Sequence, residues 1–263
     1  LLMGGQADIV LQGPETLVFI ENSESPEKVK MFSAITSTDG LFLVSRQKVA
    51  AGDFKWDMLK GKRVMGWRPG STPAVFLEHV MRKNGVEPKR DVDYITNIAI
   101  PARMGAWQAN QADFAIFTEP DPSRIEAEGQ GYVVASIGKE AGPADYTGFI
   151  ATDSFIKKNP EIIQAFTNAV YKGQLWSAKA DPKEAAALVA GFFPGVSVDL
   201  LASSIKRYRE LGIFKVDPVT TPDALNRLQD IMIEGDVLKA DKKVKYERAI
   251  VTTFAEKAKQ TIK

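Results

Sequence analysis

The sequence has 263 residues, of which 44% are hydrophobic and 25% are charged, and it contains no cysteine. Lys and Arg total 34 against 33 Asp and Glu, so the charge balance gives no reason to expect nucleic-acid binding. The lack of thiols excludes disulfides and the usual cysteine-based zinc and iron–sulfur sites. No apolar run reaches the ~18 residues needed to cross a bilayer. The composition is typical of an ordinary globular protein.

Up to residue 158, short apolar runs alternate with helical patterns, which predicts an α/β fold with a largely parallel sheet. The predicted strands cover residues 8–11, 29–33, 41–45, 63–66, 93–95, 114–117, 132–136 and 148–151. The predicted helices between them cover residues 14–22, 56–60, 73–84 and 102–109. The remaining chain predicts a helical layer over residues 161–177, 182–192, 198–211, 222–235 and 246–260. Asn159, Asp181 and Thr221 each precede a Pro and are predicted N-caps.

One short phrase occurs twice, as "GQADIV" from Gly5 and as "NQADFA" from Asn110. In each copy a helical pattern ends at Gly5 or Asn110, both of which tolerate a left-handed backbone, and an apolar strand and a Pro-containing turn follow. The repeat predicts two similarly built α/β lobes. Because ligands of open parallel sheets lie beyond the carboxyl ends of the strands, the turns after these strands are predicted ligand sites.

The segment after residue 63 is the most informative. A predicted strand ends at a turn that contains Trp67 and Arg68, and Ser71 and Thr72 open a helix, with Thr72 predicted as its N-cap and Pro73 as its first residue. The backbone amides at the start of this helix, the helix dipole and the two hydroxyls together favour a ligand group that is anionic or rich in carbonyls. Simple helix capping is an alternative of equal weight. Trp67 and Arg68 favour a binding site, because an aromatic face and a guanidinium recognise planar or anionic ligands.

Signatures of catalysis are weak. The sole histidine, His79, falls within a predicted helix, where it is expected to pack rather than to act as a base. Glycine-rich phosphate-binding motifs do not occur. The turn residue Glu119 is predicted to be a ligand contact. Residues 36–40 and 145–148 place hydroxyls and a Gly before extended runs, so both segments are predicted hinges between lobes.

Several motifs, taken in order, resemble the nitrate/sulfonate/taurine and thiamine-precursor group of ABC-transporter substrate-binding proteins. They are "LLMGGQADI" from Leu1, "QGP" from Gln12, "LKGKRV" from Leu59, "PGST" from Pro69, "QAD" from Gln111 and "YTGF" from Tyr146. The resemblance covers essentially the whole chain and implies the type II periplasmic-binding fold, with two lobes, two crossing hinge strands and a helical C-terminal layer. The first lobe would comprise residues 1–44 and 149–263, and the second lobe would comprise residues 45–148. Family members begin with a strand, a helix and a second strand, so this N-terminal β-α-β unit is expected to be missing here.

The resemblance implies a binding protein without catalysis, cofactor or metal, which closes its lobes on a small polar ligand and delivers the ligand to membrane permease subunits. The protein is expected to be a monomer that is located in the periplasm or is an extracellular lipid-anchored protein. No nucleic-acid partner is expected. The residues expected to contact the ligand are Gln12, Gly13, Pro14, Thr38, Asp39, Trp67, Arg68, Gly70, Ser71, Thr72, Glu119, Tyr146 and Thr147.

Two ligand classes stay open. A cationic, hydroxyl-bearing set would suit a sulfonate, carboxylate or nitrate: Arg68, Ser71 and Thr72. An aromatic set with one acid would suit a pyrimidine or flavin precursor, the class that is slightly favoured: Trp67, Trp107, Tyr146 and Glu119. Trp107 is equally well explained as a core residue. The alternative functions are a small-molecule enzyme on the same fold, of the menaquinone-pathway type, and a ligand-sensing module. A related iron-dependent pyrimidine synthase uses cysteines, so its activity is disfavoured here.

Overall fold

The computed structural model describes residues 1–50 and 52–262. In chain order the strands are β1 (Ile9–Gln12), β2 (Val29–Thr36), β3 (Leu41–Ser45), β4 (Arg63–Met65), β5 (Asp93–Ile95), β6 (Phe114–Thr118), β7 (Tyr132–Ser136) and β8 (Thr147–Thr152). The helices are α1 (Glu15–Glu21), α2 (Thr72–Lys83), α3 (Pro88–Asp91), α4 (Arg103–Gln108), α5 (Asp121–Ala127), α6 (Ile137–Ala141), α7 (Asp153–Lys158), α8 (Pro160–Lys179), α9 (Pro182–Val189), α10 (Val198–Glu210), α11 (Pro222–Glu234), α12 (Tyr246–Ala249) and α13 (Thr253–Thr261). Each predicted strand is present, with ends within a few residues of those expected.

The chain divides into two compact units. Unit 1 comprises Leu1–Thr38, Pro143–Ala180 and Gly212–Lys263, and unit 2 comprises Asp39–Gly142 and Asp181–Leu211. The chain thus changes unit near the expected boundaries, a few residues earlier in each case. Residues 181–211 were expected in the first lobe but belong to unit 2, because α10 packs against α5.

The unit 1 sheet has the order β1-β8-β2, and β8 is antiparallel to both neighbours. Its core contains Phe32, Phe149 and Phe166, and the last two rings meet edge to face with centroids 4.8 Å apart. The helix predicted over residues 246–260 is wrong in its middle. There Ile250 has extended backbone and forms a β-bridge with Met31, which separates α12 from α13.

The unit 2 sheet has the order β5-β4-β6-β3-β7. Strand β4 is parallel to β5 and β6, whereas β3 is antiparallel to β6 and β7. Because β6 and β7 are both antiparallel to β3, the described strands β4, β5, β6 and β7 run in one direction. The expected largely parallel sheet is therefore confirmed in unit 2 apart from β3, the strand through which the chain enters this unit. In unit 1, β8 runs against both of its neighbours. Trp107 is fully buried in the unit 2 core and donates its indole N–H to the Gln130 carbonyl at 3.2 Å. Trp107 is a core residue.

The capping predictions hold at two helices of the C-terminal layer. The Asp181 carboxylate accepts the amides of Lys183 and Glu184, and Thr221 Oγ1 accepts the Ala224 amide. Asn159 occupies the N-cap position of α8 as predicted, but its side chain does not cap the helix, because its amide instead donates to the Phe155 carbonyl at 3.2 Å.

The repeated phrase has a common backbone form. Gly5 and Asn110 both adopt positive φ, at 65° and 58°, and each precedes a strand, β1 or β6. Asn110 follows helix α4, whereas Gly5 closes a turn in which its amide donates to the Leu2 carbonyl. The left-handed residue before each strand is confirmed.

Candidate functional site

The second-lobe residues on the expected list lie at one edge of the unit 2 sheet. Because β4 and β6 are parallel, with Met65 opposite Ala115, their carboxyl ends reach the same edge. Strand β3 is antiparallel to β6, with Leu41 opposite Thr118, so the start of β3 reaches that edge too. The turn after β4, the turn after β6 and Asp39 therefore lie together at what we call the unit 2 edge.

The turn between β4 and α2 is held by its own backbone and hydroxyl bonds. Gly66 must be glycine, because a Cβ there would lie 2.2 Å from the Tyr94 ring. Gly70 has φ of +76°, a conformation that favours glycine. The amide and the hydroxyl of Ser71 both donate hydrogen bonds to the Arg68 carbonyl, at 3.2 Å and 2.6 Å. Ser71 thus closes the turn.

Helix α2 begins one residue earlier than predicted. Ser71 occupies the N-cap position, Thr72 is the first helical residue, and Pro73 follows within the first turn. No side chain at the N-cap bonds to the amides of the first turn, because the Ser71 hydroxyl is directed to Arg68. The Ser71 side chain therefore does not cap the helix, and the ligand contacts of Ser71 and Thr72 stay predictions. The first turn of α2 keeps the dipole and amide character that favours an anion.

Arg103, the first residue of α4, is a buried cation that the sequence did not reveal as a site residue. It is 3% exposed, and Nη1 donates to the Gly66 carbonyl at 2.7 Å. Nη2 donates to the carbonyls of Met65 at 3.2 Å and Ile116 at 2.7 Å. The guanidinium also lies 4.2 Å from the centroid of the Trp67 ring. Arg103 thereby ties the carboxyl ends of β4 and β6 together and supports Trp67.

The charge of Arg103 is not neutralised by a bonded acid. Burial lowers the pKa of Arg103 to about 10, so the side chain stays protonated at neutral pH. Its bonds in the described part of the chain go to main-chain carbonyls, and Nε is buried without a hydrogen-bond partner. Asp121 acts on it electrostatically, and burial in turn raises the pKa of Asp121. A buried positive charge of this kind favours an anion nearby.

Glu119 lies at the unit 2 edge, and its carboxylate is engaged by neighbours. Its oxygens accept the Ser123 hydroxyl at 3.0 Å, the Ser204 hydroxyl at 2.9 Å and Arg207 Nη1 at 3.0 Å. The side chain is 3% exposed. These contacts join the turn after β6 to α10, so a ligand would have to compete with them. The role of Glu119 as a ligand contact stays a prediction.

Asp39 and Tyr208 complete this edge. Asp39 is buried, and its carboxylate accepts the Leu41 amide at 2.5 Å. The Tyr208 hydroxyl donates to the Gly40 carbonyl at 2.8 Å and accepts the Glu119 amide at 3.0 Å. Burial raises the pKa of Tyr208, so the hydroxyl keeps its proton. The loops before β3 and after β6 are thus bonded to the same tyrosine.

The first-lobe residues on the expected list lie at one end of the unit 1 sheet. Gln12 is opposite Gly148, and Thr147 is opposite Thr36, so the ends of β1 and β2 meet the start of β8. Gly148 is tightly enclosed, because a Cβ there would lie 2.9 Å from the Ser33 carbonyl oxygen and 2.0 Å from Met31 Sδ. We call this end the unit 1 edge.

The loops at the unit 1 edge carry the remaining predicted residues. Gly13 and Pro14 lead from β1 into α1, and Pro14 is buried. The Tyr146 amide donates to the Thr36 carbonyl at 3.2 Å, and the buried Thr38 follows β2. The structure brings these residues together within unit 1, although their ligand contacts stay predictions.

A sequence signal for Arg103 does exist. Arg103, Ala106 and Trp107 are spaced by three and four residues in the helix predicted over 102–109, and all three are buried. A charged residue on the apolar face of a helix indicates a special role, because buried charges are costly.

The described part of the chain shows neither a metal centre nor a membrane span. Within residues 1–50 and 52–262, no group of three or more His, Cys, Asp or Glu residues could hold a metal ion. No helix in the same ranges has the length and apolarity needed to cross a membrane. His79 is buried in α2, as expected for a packed residue.

Comparison with known structures supports the fold. A TM-score of 0.76 relates this chain to the ligand-binding component of an ABC-type import system from Staphylococcus aureus, solved with zinc bound, at 15% identity over 98% of this chain and 82% of that one. The alkanesulfonate-binding protein SsuA from Xanthomonas axonopodis pv. citri, solved with MOPS, gives 0.76 at 16% identity over 96% of this chain and 83% of that one. The chain has the periplasmic-binding-protein fold.

Sequence comparison gives the family. The chain is 34% identical over 256 residues to "Putative binding protein YtlA" of Bacillus subtilis (strain 168). The aligned region covers 97% of this chain and 75% of that protein. Residues 1–185 match the family described as "NMT1/THI5 like". The chain belongs to the NMT1/THI5-like family.

Proposed function

We propose that this chain is the substrate-binding component of an ABC importer and that its ligand carries a negative charge bound at the unit 2 edge. The ligand would be a sulfonate, a carboxylate or nitrate, held by the turn at Trp67 and Arg68 and by the start of α2 at Ser71 and Thr72. The protein would bind and release this ligand without converting it.

The observation that carries this choice of ligand is the buried, protonated Arg103. Its guanidinium bonds to the carbonyls at the ends of β4 and β6 and stacks on Trp67, without a bonded carboxylate. An anion at the adjacent turn would complement this charge in a site of low dielectric, where electrostatic attraction is strong. The start of α2, where the Ser71 side chain makes no capping bond, adds the positive end of a helix dipole.

The relatives are consistent with this class of function. The Bacillus subtilis relative carries the name of a binding protein, and a protein of the same fold binds alkanesulfonates and was solved with a sulfonate buffer molecule. Those ligands belong to the relatives. They motivate sulfonates as the first probes for this chain.

A planar heteroaromatic ligand is the second candidate, and Trp67 favours it. Arg103 fixes the Trp67 ring against the unit 2 edge, so this ring is a prepared stacking surface. The predicted acidic partner for such a ligand, Glu119, is already bonded to Ser204 and Arg207. For that reason we rank the heterocycle below the anion.

A thermal-shift screen followed by calorimetry tests the proposal. The panel contains methanesulfonate, benzenesulfonate, benzoate and nitrate, with uncharged pyrimidines and riboflavin as the competing class. A true ligand at 100 times its Kd should stabilise the fold by about 2.7 kcal/mol. Stabilisation by an anion that is lost in Arg103→Met supports the proposal. Stabilisation by uncharged heterocycles alone would overturn the anion assignment, and loss of the ligand through turnover would overturn the binding role.

We further propose an extracytoplasmic location and delivery of the ligand to permease subunits in the membrane. Ligand capture by closure of the two units stays a prediction of the resemblance. Small-angle X-ray scattering with and without a saturating ligand tests it, because closure should lower the radius of gyration. An unchanged radius with a bound ligand would contradict closure.

A further inference from the structure

The loop that follows β5 reaches the unit 2 edge, although none of its residues was predicted to contact the ligand. Strand β5 is parallel to β4, with Ile95 opposite Met65, so the carboxyl ends of both strands lie at the same edge. The Gly66 amide, in the turn after β4, donates to the Ile95 carbonyl at 3.0 Å. The loop after β5 therefore begins beside the turn that contains Trp67.

This loop ends in four consecutive apolar residues that are all exposed, from Ala99 to Ala102. Earlier in the loop Ile98 packs against the unit 2 core, whereas Ile100 is 66% exposed. Single exposed apolar residues are normal on a protein surface, but a continuous exposed run of them is disfavoured unless it has a function. We call residues 99–102 the apolar segment.

The apolar segment has a well-defined backbone. Ile100–Ala102 form one 3₁₀ turn, in which the Ala102 amide donates to the Ala99 carbonyl at 2.9 Å. Pro101 restricts the backbone within this turn, and α4 begins directly after it. A ligand that binds here does not have to order a loop, which lowers the cost of binding.

The buried cation of the candidate site is the next residue along the chain. Arg103 follows Ala102, and its guanidinium bonds to the Gly66 carbonyl at 2.7 Å and lies 4.2 Å from the centroid of the Trp67 ring. The unit 2 edge therefore combines a positive charge with an exposed apolar surface. An anion that carries a hydrocarbon group complements both features, whereas nitrate complements only the charge.

We propose that the apolar segment binds the hydrocarbon part of the ligand, so that the anion bound at the unit 2 edge is an alkyl sulfonate or alkyl carboxylate with several carbons, and not nitrate. Ile100 is then a specificity-determining residue that sets the preference for long chains over short ones. This inference rests on the proposed function of the unit 2 edge as an anion site.

Calorimetry with the full chain tests the inference with 1-alkanesulfonates of one, four and six carbons, with butyrate and hexanoate, and with nitrate. Affinity should rise about twofold for each added methylene, since a methylene that is covered on one side gains about half the effect of full burial. Nitrate should bind more weakly than hexanesulfonate. Comparison of hexanesulfonate with hexanoate shows which head group is preferred.

The variant Ile100→Ser separates the chain from the head group. It should weaken hexanesulfonate binding about fivefold, because apolar contact is lost, and should change methanesulfonate binding by less than about twofold. The side chain is 66% exposed, so urea unfolding should show little change in stability.

Two controls accompany this variant. Ile162, in α8 of unit 1, is 47% exposed, and Ile162→Ser should leave the affinity of the whole series unchanged. Hexylammonium carries the same chain as hexanesulfonate with the opposite charge, and it should not bind beside the guanidinium of Arg103.

Equal affinity for short and long chains, or the same dependence on chain length in Ile100→Ser, would overturn the inference and leave the anion site standing. Absence of binding by every anion of the series would overturn the inference together with the anion assignment. Sedimentation of the ligand-free chain tests another occupant, because a dimer that Ile100→Ser abolishes would assign the apolar segment to a second copy instead.

Discussion

The unit 1 edge and the unit 2 edge hold the predicted contacts in different ways. The unit 2 edge holds the buried guanidinium of Arg103, the start of α2 and the Trp67 ring. Arg103 donates to main-chain carbonyls at the ends of β4 and β6 and stacks on the Trp67 ring. At the unit 1 edge the predicted residues are strand ends and turns, such as Gln12 opposite Gly148 and Thr147 opposite Thr36. The comparison supports the proposal that the anion is recognised within unit 2, because the contacts predicted within unit 1 are uncharged residues.

The largest effect is expected for Arg103→Met. Loss of the charge should weaken anion binding about thirtyfold, which corresponds to ~2 kcal/mol for a charge in a partly dry site. Stability should also fall by about 2–4 kcal/mol, because three buried carbonyls lose their donor. Calorimetry and urea unfolding measure the two effects. Arg103→Lys separates charge from position, since it keeps the charge and loses the planar fork.

Arg46 supplies a matched control. It lies 4.1 Å from the centroid of the Trp107 ring and donates to the carbonyls of Trp107 and Ala112. It therefore makes the same types of contact as Arg103, at the opposite edge of the unit 2 sheet. Arg46→Met should lower stability but leave anion affinity unchanged. Equal losses of affinity in both variants would remove the special role of Arg103.

Glu119→Gln is expected to act on stability more than on affinity. Its carboxylate holds Ser123, Ser204 and Arg207, so the variant should cost about 2 kcal/mol in the free energy of unfolding. Anion affinity should change by less than about threefold, because the side chain serves the α10 contact. Urea unfolding and calorimetry together check this.

Glu126→Gln is the comparison for Glu119. Glu126 also bonds to Arg207, at 2.7 Å, but it is 33% exposed, so its loss should cost about 1 kcal/mol or less. If Glu119→Gln instead abolished binding of a heterocycle at unchanged stability, Glu119 would be the ligand contact that the sequence predicted.

Asp121→Asn should strengthen anion binding. Asp121 is the acid that acts on Arg103 electrostatically, so removing its charge at pH 7 should raise anion affinity about threefold. Burial raises the pKa of Asp121, so the wild-type side chain becomes neutral as the pH falls through this raised value. Below it the variant and the wild type should bind alike. Calorimetry at pH 7 and near pH 4 measures the difference, and a gain that persists at low pH would contradict the charge argument.

Much of the fold could be predicted from local patterns. Alternating apolar runs located the strands, and the left-handed residues Gly5 and Asn110 marked the entries to β1 and β6. The prediction of one continuous helix over 246–260 was wrong because Ile250 forms a β-bridge with Met31, a contact between residues far apart in sequence. The assignment of residues 181–211 to unit 2 depends on the same kind of long-range contact, between α10 and the turn at Glu119.

The candidate site was predictable to a lesser extent. The turn at Trp67 and the start of α2 could be read from residue types, because glycines, hydroxyls and a Pro identify such a turn. Arg103 could not be assigned to it, since the acceptors of its bonds are main-chain carbonyls, which every residue has. Glu119 was chosen for its type, and only the structure shows that Ser204 and Arg207, 85 and 88 residues away, engage it.

The smallest effect is expected for Gln12→Ala at the unit 1 edge. Gln12 ends β1 and is exposed, and its backbone pairing with Gly148 does not need the side chain. If its amide contacts the ligand, it contributes one neutral hydrogen bond, so anion affinity should fall about threefold at most while stability stays unchanged. Calorimetry under the conditions used for Arg103→Met gives the ratio of the two losses. A greater loss in Gln12→Ala than in Arg103→Met would reverse the comparison and place the charge-sensing contact in unit 1.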